Sequence, residues 1–183
     1  MHTSGTHPLP LSSDTGQRSV AEEAYGRALR MASEGTSCRQ ILTFLATHGE
    51  NLGGSGSAVS ILLLDEQGLL RNGASPNLPA DYLDAIDRLK PDPNVGTCAA
   101  AAATAQVVIT PDFQDDAKWA ELRHLPLALG FVAAWSMPIQ TSDGQVLGTF
   151  GTYFRERREP SDAERAAIAI LADAAAIAIQ GAK

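Results

Sequence analysis

The sequence predicts an α+β domain: a central antiparallel sheet of five or six strands, terminal helices on one face, and short helices and loops over a pocket on the other. Three observations carry this. Residues 131–154, FVAAWSMPIQTSDGQVLGTFGTYF, form two β-rich runs around Asp143-Gly144, a pair suited to a type I′ hairpin. Helical patterns stand near both ends of the chain. Between them, strand patterns, loops and short helices follow one another in an order that suits one mixed layer structure.

In the hairpin, Phe131, Ala133, Trp135, Met137 and Ile139 alternate with Val132, Ala134, Ser136 and Pro138. After the turn, Val146, Gly148, Phe150, Thr152 and Phe154 alternate with Leu147, Thr149, Gly151 and Tyr153. Both rows are largely apolar, so the hairpin belongs in the middle of a sheet covered on both sides. Ser136, Thr149 and Gly151 interrupt the rows with small or polar groups and predict a cavity on one face.

A chain of 183 residues suits one domain. Residues 1–17, rich in Ser, Thr, Pro and Gly, read as a flexible leader, and 18–183 as the folded unit. The net charge of −7 argues against nucleic acid or an anionic membrane surface as partner. No apolar run approaches the ~20 residues of a membrane span, and the N-terminus lacks a secretory pattern. Cys38 and Cys98 form no CxxC, which fits a reduced, cytoplasmic location better than a disulfide framework.

Taken in order, SVAEEAYGRALRMASEG is helical, with Ser19 and Glu22 as a capping box and Gly35 as its stop. A second helix starts at Thr36 or Ser37, with Ile41, Leu42, Leu45 and His48 along one face; His48 stands near its end beside Gly49. SAVSILLLD is a buried strand and LLRNGASP its antiparallel partner across Glu66-Gln67-Gly68. Pro79 opens a short helix, and PDPNVG is irregular. TCAAAAATAQ is a helix on alanine propensity alone. VVIT is a strand, PDFQDD a loop, and AKWAELRHLPLALG a partly helical stretch broken at Pro126. Ser161 and Glu164 cap a last helix to Gln180, with Ile168, Leu171, Ala175 and Ile179 in one row. Its opposite side is also Ala-rich and calls for a second partner.

No P-loop, GxGxxG, GxSxG, HExxH or zinc pattern is present. Two constellations stand out. Cys98 begins the Ala-rich helix, where free N–H groups and the helix dipole could hold an anion or carbonyl and lower the thiol pKa. A small buried packing role is the leading reading, ahead of ligand contact and of redox chemistry. Asp112, Asp115 and Asp116 could hold a cation, but turn and N-cap roles of Asp112 and Asp115 for the segment around Trp119 are the simpler reading. His2, His7 and His124 lack histidine neighbours that would make a metal site.

Several of these segments together resemble the GAF domains of bacterial sensor histidine kinases and diguanylate cyclases. The resemblance rests on GTCAAAA, VVITPDFQDDAKWAELRHLPLALGF, AAWSMPI, DGQVLGTFGTYF and the REPSDAERAAIAILADAAAIAI helix. It departs from the family where Ala99 replaces the glycine that usually follows the cysteine. The resemblance implies a GAF-like, PAS-related fold and a non-catalytic signalling module, with a small-molecule ligand whose identity the sequence leaves open. It also implies a homodimer through the terminal helices and a kinase or cyclase output domain; no cofactor is singled out. Two other readings stand beside it. One is a redox enzyme similar to the GAF-fold free methionine sulfoxide reductases, in which Cys98 would align with a catalytic cysteine; LPLALGFVAAWS, however, offers no second cysteine. The other is a purely structural dimerisation module, whose cavity side chains would fill. The expected ligand surface is Thr97, Cys98 and Ala99 for the polar end, Phe113, Trp119, Trp135 and Tyr153 for the body, and Ser136 and Thr149 beside them.

Overall fold

The computed structural model describes residues 14–182, so the expected leader lies, over residues 1–13, outside the described residues. Helix α1 covers Asp14–Ser33, α2 Cys38–Gly53, strand β1 Ala58–Leu64 and β2 Leu70–Ala74. Helix α3 covers Ala80–Ala85, α4 Cys98–Thr104, β3 Val108–Thr110 and α5 His124–Ala128; β4 spans Ala133–Gln140, β5 Val146–Phe154 and α6 Asp162–Gly181. Two 3₁₀ turns, Phe113–Asp115 and Ala117–Trp119, stand between β3 and α5.

The local signals explain most ends. Gly35, at φ +83°, closes α1 while the Thr36 N–H reaches Met31 O at 2.9 Å. Ser37 and Gln40 form a capping box for α2, and Ser161 and Glu164 one for α6. Ser19 is not an N-cap: α1 has already begun at Asp14, and Glu22 pairs with Arg18 one turn earlier at 3.2 Å. α2 likewise runs past Gly49 to Gly53, so His48 sits mid-helix, its Nδ1 3.0 Å from Phe44 O. Tertiary packing explains the glycine, because a Cβ at Gly49 would stand 2.8 Å from the Phe150 ring. Pro126 does not break α5; it sits in the first turn, where a missing N–H costs nothing.

Five strands form one antiparallel sheet in the order β2-β1-β5-β4-β3. The β4–β5 connection spans residues 141–145, with a slip at Ile139/Gln140. It is not the type I′ pair expected: Gly144 takes φ +91°, Asp143 stays on the negative side, and the Gly144 N–H closes onto Thr141 O at 3.0 Å. The longer connection removes the need for two left-handed residues.

All three long helices lie on one face. Ile41, Leu42 and Leu45 of α2 and Ala167, Ile168 and Leu171 of α6 pack with Val59, Ile61, Trp135, Ile139 and Phe150 of the sheet. Helix α1 lies along α6 and buries Ala21, Ala24 and Ala28, supplying the partner that the Ala-rich side of α6 requires. Val20, Leu29 and Ile177 remain exposed. The second face carries a separate apolar cluster from α3, α4, the 3₁₀ turns and α5.

Candidate functional site

Strand alternation decides which residues reach the second face. Ala134 and Tyr153 pack there, with Ser136 and Gly151 against Cys98, whereas Ala133, Trp135, Phe150 and Phe154 join the helical layer. Trp135 is therefore not a wall of the expected site: it is one residue from Ser136 and must point the opposite way. Phe131 also departs from its expected row. It precedes the strand and packs on Tyr153, with ring centroids 5.5 Å apart.

Helix α4 is set onto the sheet by Gly96, at φ +56°, whose N–H donates to Lys118 O at 2.8 Å. Thr97 does not cap the helix with its side chain. Instead the Ser136 hydroxyl donates to Thr97 Oγ1 at 3.0 Å, and Cys98 Sγ stands 3.0 Å from Ser136 Oγ. With the serine proton committed to Thr97, the Cys98 thiol is the donor of the second bond. Thr149 Oγ1 is fully buried and faces the Cys98 sulfur.

The small residues make room for this thiol. A Cβ at Gly151 would lie 2.8 Å from Cys98 Sγ and 3.3 Å from Ser136 Oγ. The cavity expected at Ser136, Thr149 and Gly151 is thus filled by the protein's own cysteine. What remains is a void of ≈ 20 Å³ on the far side of Cys98, bordered also by Leu62, Tyr82, Ile86, Trp119 and Tyr153. That is room for one water. A larger hollow, ≈ 600 Å³, opens on the helical side near Cys38, Leu63, Leu147 and Ile179, away from every expected site residue.

Burial pushes the Cys98 thiol above its ordinary value and outweighs the hydroxyls of Ser136, Thr149 and Thr97, which would turn to favour a thiolate. The depression expected from the start of α4 is overridden by burial of the sulfur. Cys38 belongs to the helical layer, with the sheet between the two cysteines.

Ala99, in the first turn of α4, is fully buried. Phe113 and Trp119 meet at a tilt of 46° with centroids 4.4 Å apart, and Trp119 borders the void with Phe113 behind it. Trp119 Nε1 donates to Thr110 Oγ1 at 3.1 Å, and that hydroxyl donates to Asp116 Oδ2 at 2.5 Å. Asp112 and Asp116 accept backbone N–H groups in the 3₁₀ turns and pair with Arg157 and Lys118, each at 3.0 Å. His124 is exposed at the start of α5. Among the described residues no cluster of three His, Cys, Asp or Glu could hold a metal ion.

The residue that sequence reasoning passed over is Tyr82. Its hydroxyl donates to Tyr153 Oη at 2.6 Å, and the two rings meet edge to face with centroids 5.9 Å apart. Tyr82 and Ile86 stand four residues apart in PADYLDAI, a short apolar stripe that was the available signal.

This is an α+β domain in which one sheet carries a helical layer on one face and a small polar cluster, sealed by short elements, on the other. The sequence model of the GAF domain matches residues 35–180, and the chain belongs to that family. It is 36% identical over 171 residues to the methyl sulfide methyltransferase-associated sensor of Methanosarcina acetivorans; the match covers 91% of this chain and 17% of that protein. Among solved structures, free methionine-R-sulfoxide reductase from Neisseria meningitidis, in complex with its substrate, shares the fold with a TM-score of 0.72 at 15% identity, covering 100% of this chain and 98% of that one. A domain of a two-component sensor histidine kinase protein from Sinorhizobium meliloti 1021 matches with a TM-score of 0.61 at 22% identity, covering 74% and 85%. No helix among the described residues is long and apolar enough to cross a membrane.

Proposed function

We propose that this chain is a non-catalytic sensor domain that binds a small molecule at the Thr97–Cys98–Ser136 cluster and relays the change through α1 and α6. The observation that supports it most is its 36% identity, over 91% of the chain, to part of a sensor. The geometry offers a route: β4 presents Ser136 to α4 and Trp135, one residue away, to the helical layer, so a displaced strand disturbs both. The reading includes a homodimer through α1 and α6, where Val20, Leu29 and Ile177 are exposed. It also includes an output domain of kinase or cyclase type and a cytoplasmic setting.

Mass spectrometry of small molecules released from natively purified protein tests this reading. The expected result is one stoichiometric compound, which calorimetry then finds bound about 5- to 100-fold more weakly to Thr97→Val, the usual effect of losing a buried hydrogen bond. Light scattering should give twice the 19.2 kDa chain mass. A second reading, a structural dimerisation module, is favoured by the void of only ≈ 20 Å³; it predicts the dimer with no released compound. For the reductase reading, turnover of free methionine sulfoxide is the signature. The buried thiol of Cys98, and Cys38 across the sheet, speak against it.

A further inference from the structure

We propose that this site takes an uncharged, mainly apolar molecule, admitted by displacement of residues 79–89, which the Tyr82–Tyr153 hydroxyl contact holds shut. The inference rests on the ligand-site reading above and adds the class of ligand and its way in.

The class follows from the lining. None of the residues bordering the void is Asp, Glu, Lys, Arg or His. Its polar groups are neutral: the Thr97 hydroxyl, the Cys98 thiol, the Trp119 ring and the two phenols, with Leu62, Ile86 and their neighbours making the rest. Bringing a phosphate, carboxylate or ammonium here would strip its water without a counter-charge, a penalty that nothing in the lining offsets. A neutral ligand with one or two hydrogen-bonding groups meets no such penalty.

The way in follows from the walls. The sheet side is held by the β1–β5 and β4–β5 ladders, and α4 by Gly96 and the Asp92 N–H to Ala99 O bond of 3.1 Å. The outer wall is α3 with the residue that follows it: Tyr82 and Ile86 turn inward, while Ala80, Asp81, Asp84 and Ala85 are exposed. Its C-terminal end is tied to β2: Leu70 N–H donates to Leu89 O at 2.9 Å, Arg88 N–H to Leu70 O at 3.0 Å, and Arg71 pairs with Asp87 at 2.8 Å. Arg88 between them takes φ +64°, a conformation that a non-glycine residue holds only under constraint. The segment therefore has a pivot at residues 87–89 and a latch at Tyr82. A void that fits one water admits nothing larger until this wall moves.

Cys98 borders the void, so its alkylation reports what enters. The rate of Cys98 modification by neutral iodoacetamide and by anionic iodoacetate is read from the Cys98 peptide by mass spectrometry, each rate divided by that of the same chain in urea. The normalised preference for iodoacetamide should be about tenfold or more, given the cost of an unpaired buried charge. Tyr82→Phe should raise the iodoacetamide rate about fivefold, the effect of losing one buried hydrogen bond, and leave iodoacetate slow. Tyr153→Phe gives the same test from the strand side. A normalised preference near one overturns the uncharged class, because the thiol is then reached by unfolding or by a polar route. Unchanged iodoacetamide rates in both Tyr variants overturn the latch. Neither result bears on whether a compound is released from the purified protein, so this inference and the sensor reading fail separately.

Discussion

On the helical side of the sheet, large aliphatic and aromatic side chains meet Ala-rich helices, and burial is the whole interaction: Leu45, Ile61, Phe150 and Leu171 are fully inaccessible. On the α4 side the groups at the centre are small and polar, and each is placed by a partner: Thr97 by Ser136, Ser136 by Cys98, Tyr82 by Tyr153. Both layers grow from the same two strands, one residue out of phase. The contrast teaches where stability and adaptability reside. A dry layer loses heavily when atoms are removed, whereas a cluster of short side chains can exchange partners at modest cost.

The largest expected effect tests the dry side. Phe150→Ala should lose about 3–5 kcal/mol, since its ring fills the space that Gly49 leaves open. Urea unfolding measures it, and a loss no greater than that of the α4-side variants would break the contrast.

Next comes the close approach on the other face. Gly151→Ala should cost about 1–3 kcal/mol, because the new methyl meets Cys98 Sγ. Adding Cys98→Ala should recover part of that loss. Additive losses in the double variant would mean that the glycine serves something other than the thiol.

Ser136→Ala should cost about 1 kcal/mol, as Thr97 and Cys98 lose their shared partner. The same unfolding measurement applies, and a loss as large as that for Phe150→Ala would show the cluster to be a structural centre.

The smallest effect is on pH dependence. Burial raises the Asp116 carboxyl, but hydrogen bonds from Thr110 and Lys118 and the Lys118 charge outweigh it, leaving the group below its ordinary 3.8. Its contribution is therefore present above pH 3.8 and lost as pH falls through the lower folded value. Asp116→Asn should flatten the acid limb of the stability curve, and an unaltered limb would remove this carboxylate from the account.

Much of this architecture was legible in residue pattern. The capping box at Ser161, the start of α2 at Ser37, the stop at Gly35, the Asp112 cap and the alternation in β4 and β5 are local effects, decided within a few residues, although the second 3₁₀ cap is Asp116 and not Asp115. Beside the local misreadings at Ser19, Asp143 and Pro126, the other errors share one cause. Gly49 inside α2, Trp135 facing away from Cys98 and the filled space at Gly151 each depend on a residue far along the chain.

What could be read without coordinates was the succession of elements, the layer to which each helix belongs and the stretch around Cys98 where a site would form. These follow from hydrophobic period and short-range hydrogen bonding, both of which reside in contiguous residues. Tertiary packing decided that the thiol is sealed and raised in pKa, that Tyr82 meets Tyr153 across 71 positions, and that the expected pocket closes to ≈ 20 Å³. Desolvation and close packing are sums over neighbours from several elements, and only the assembled fold places those neighbours together.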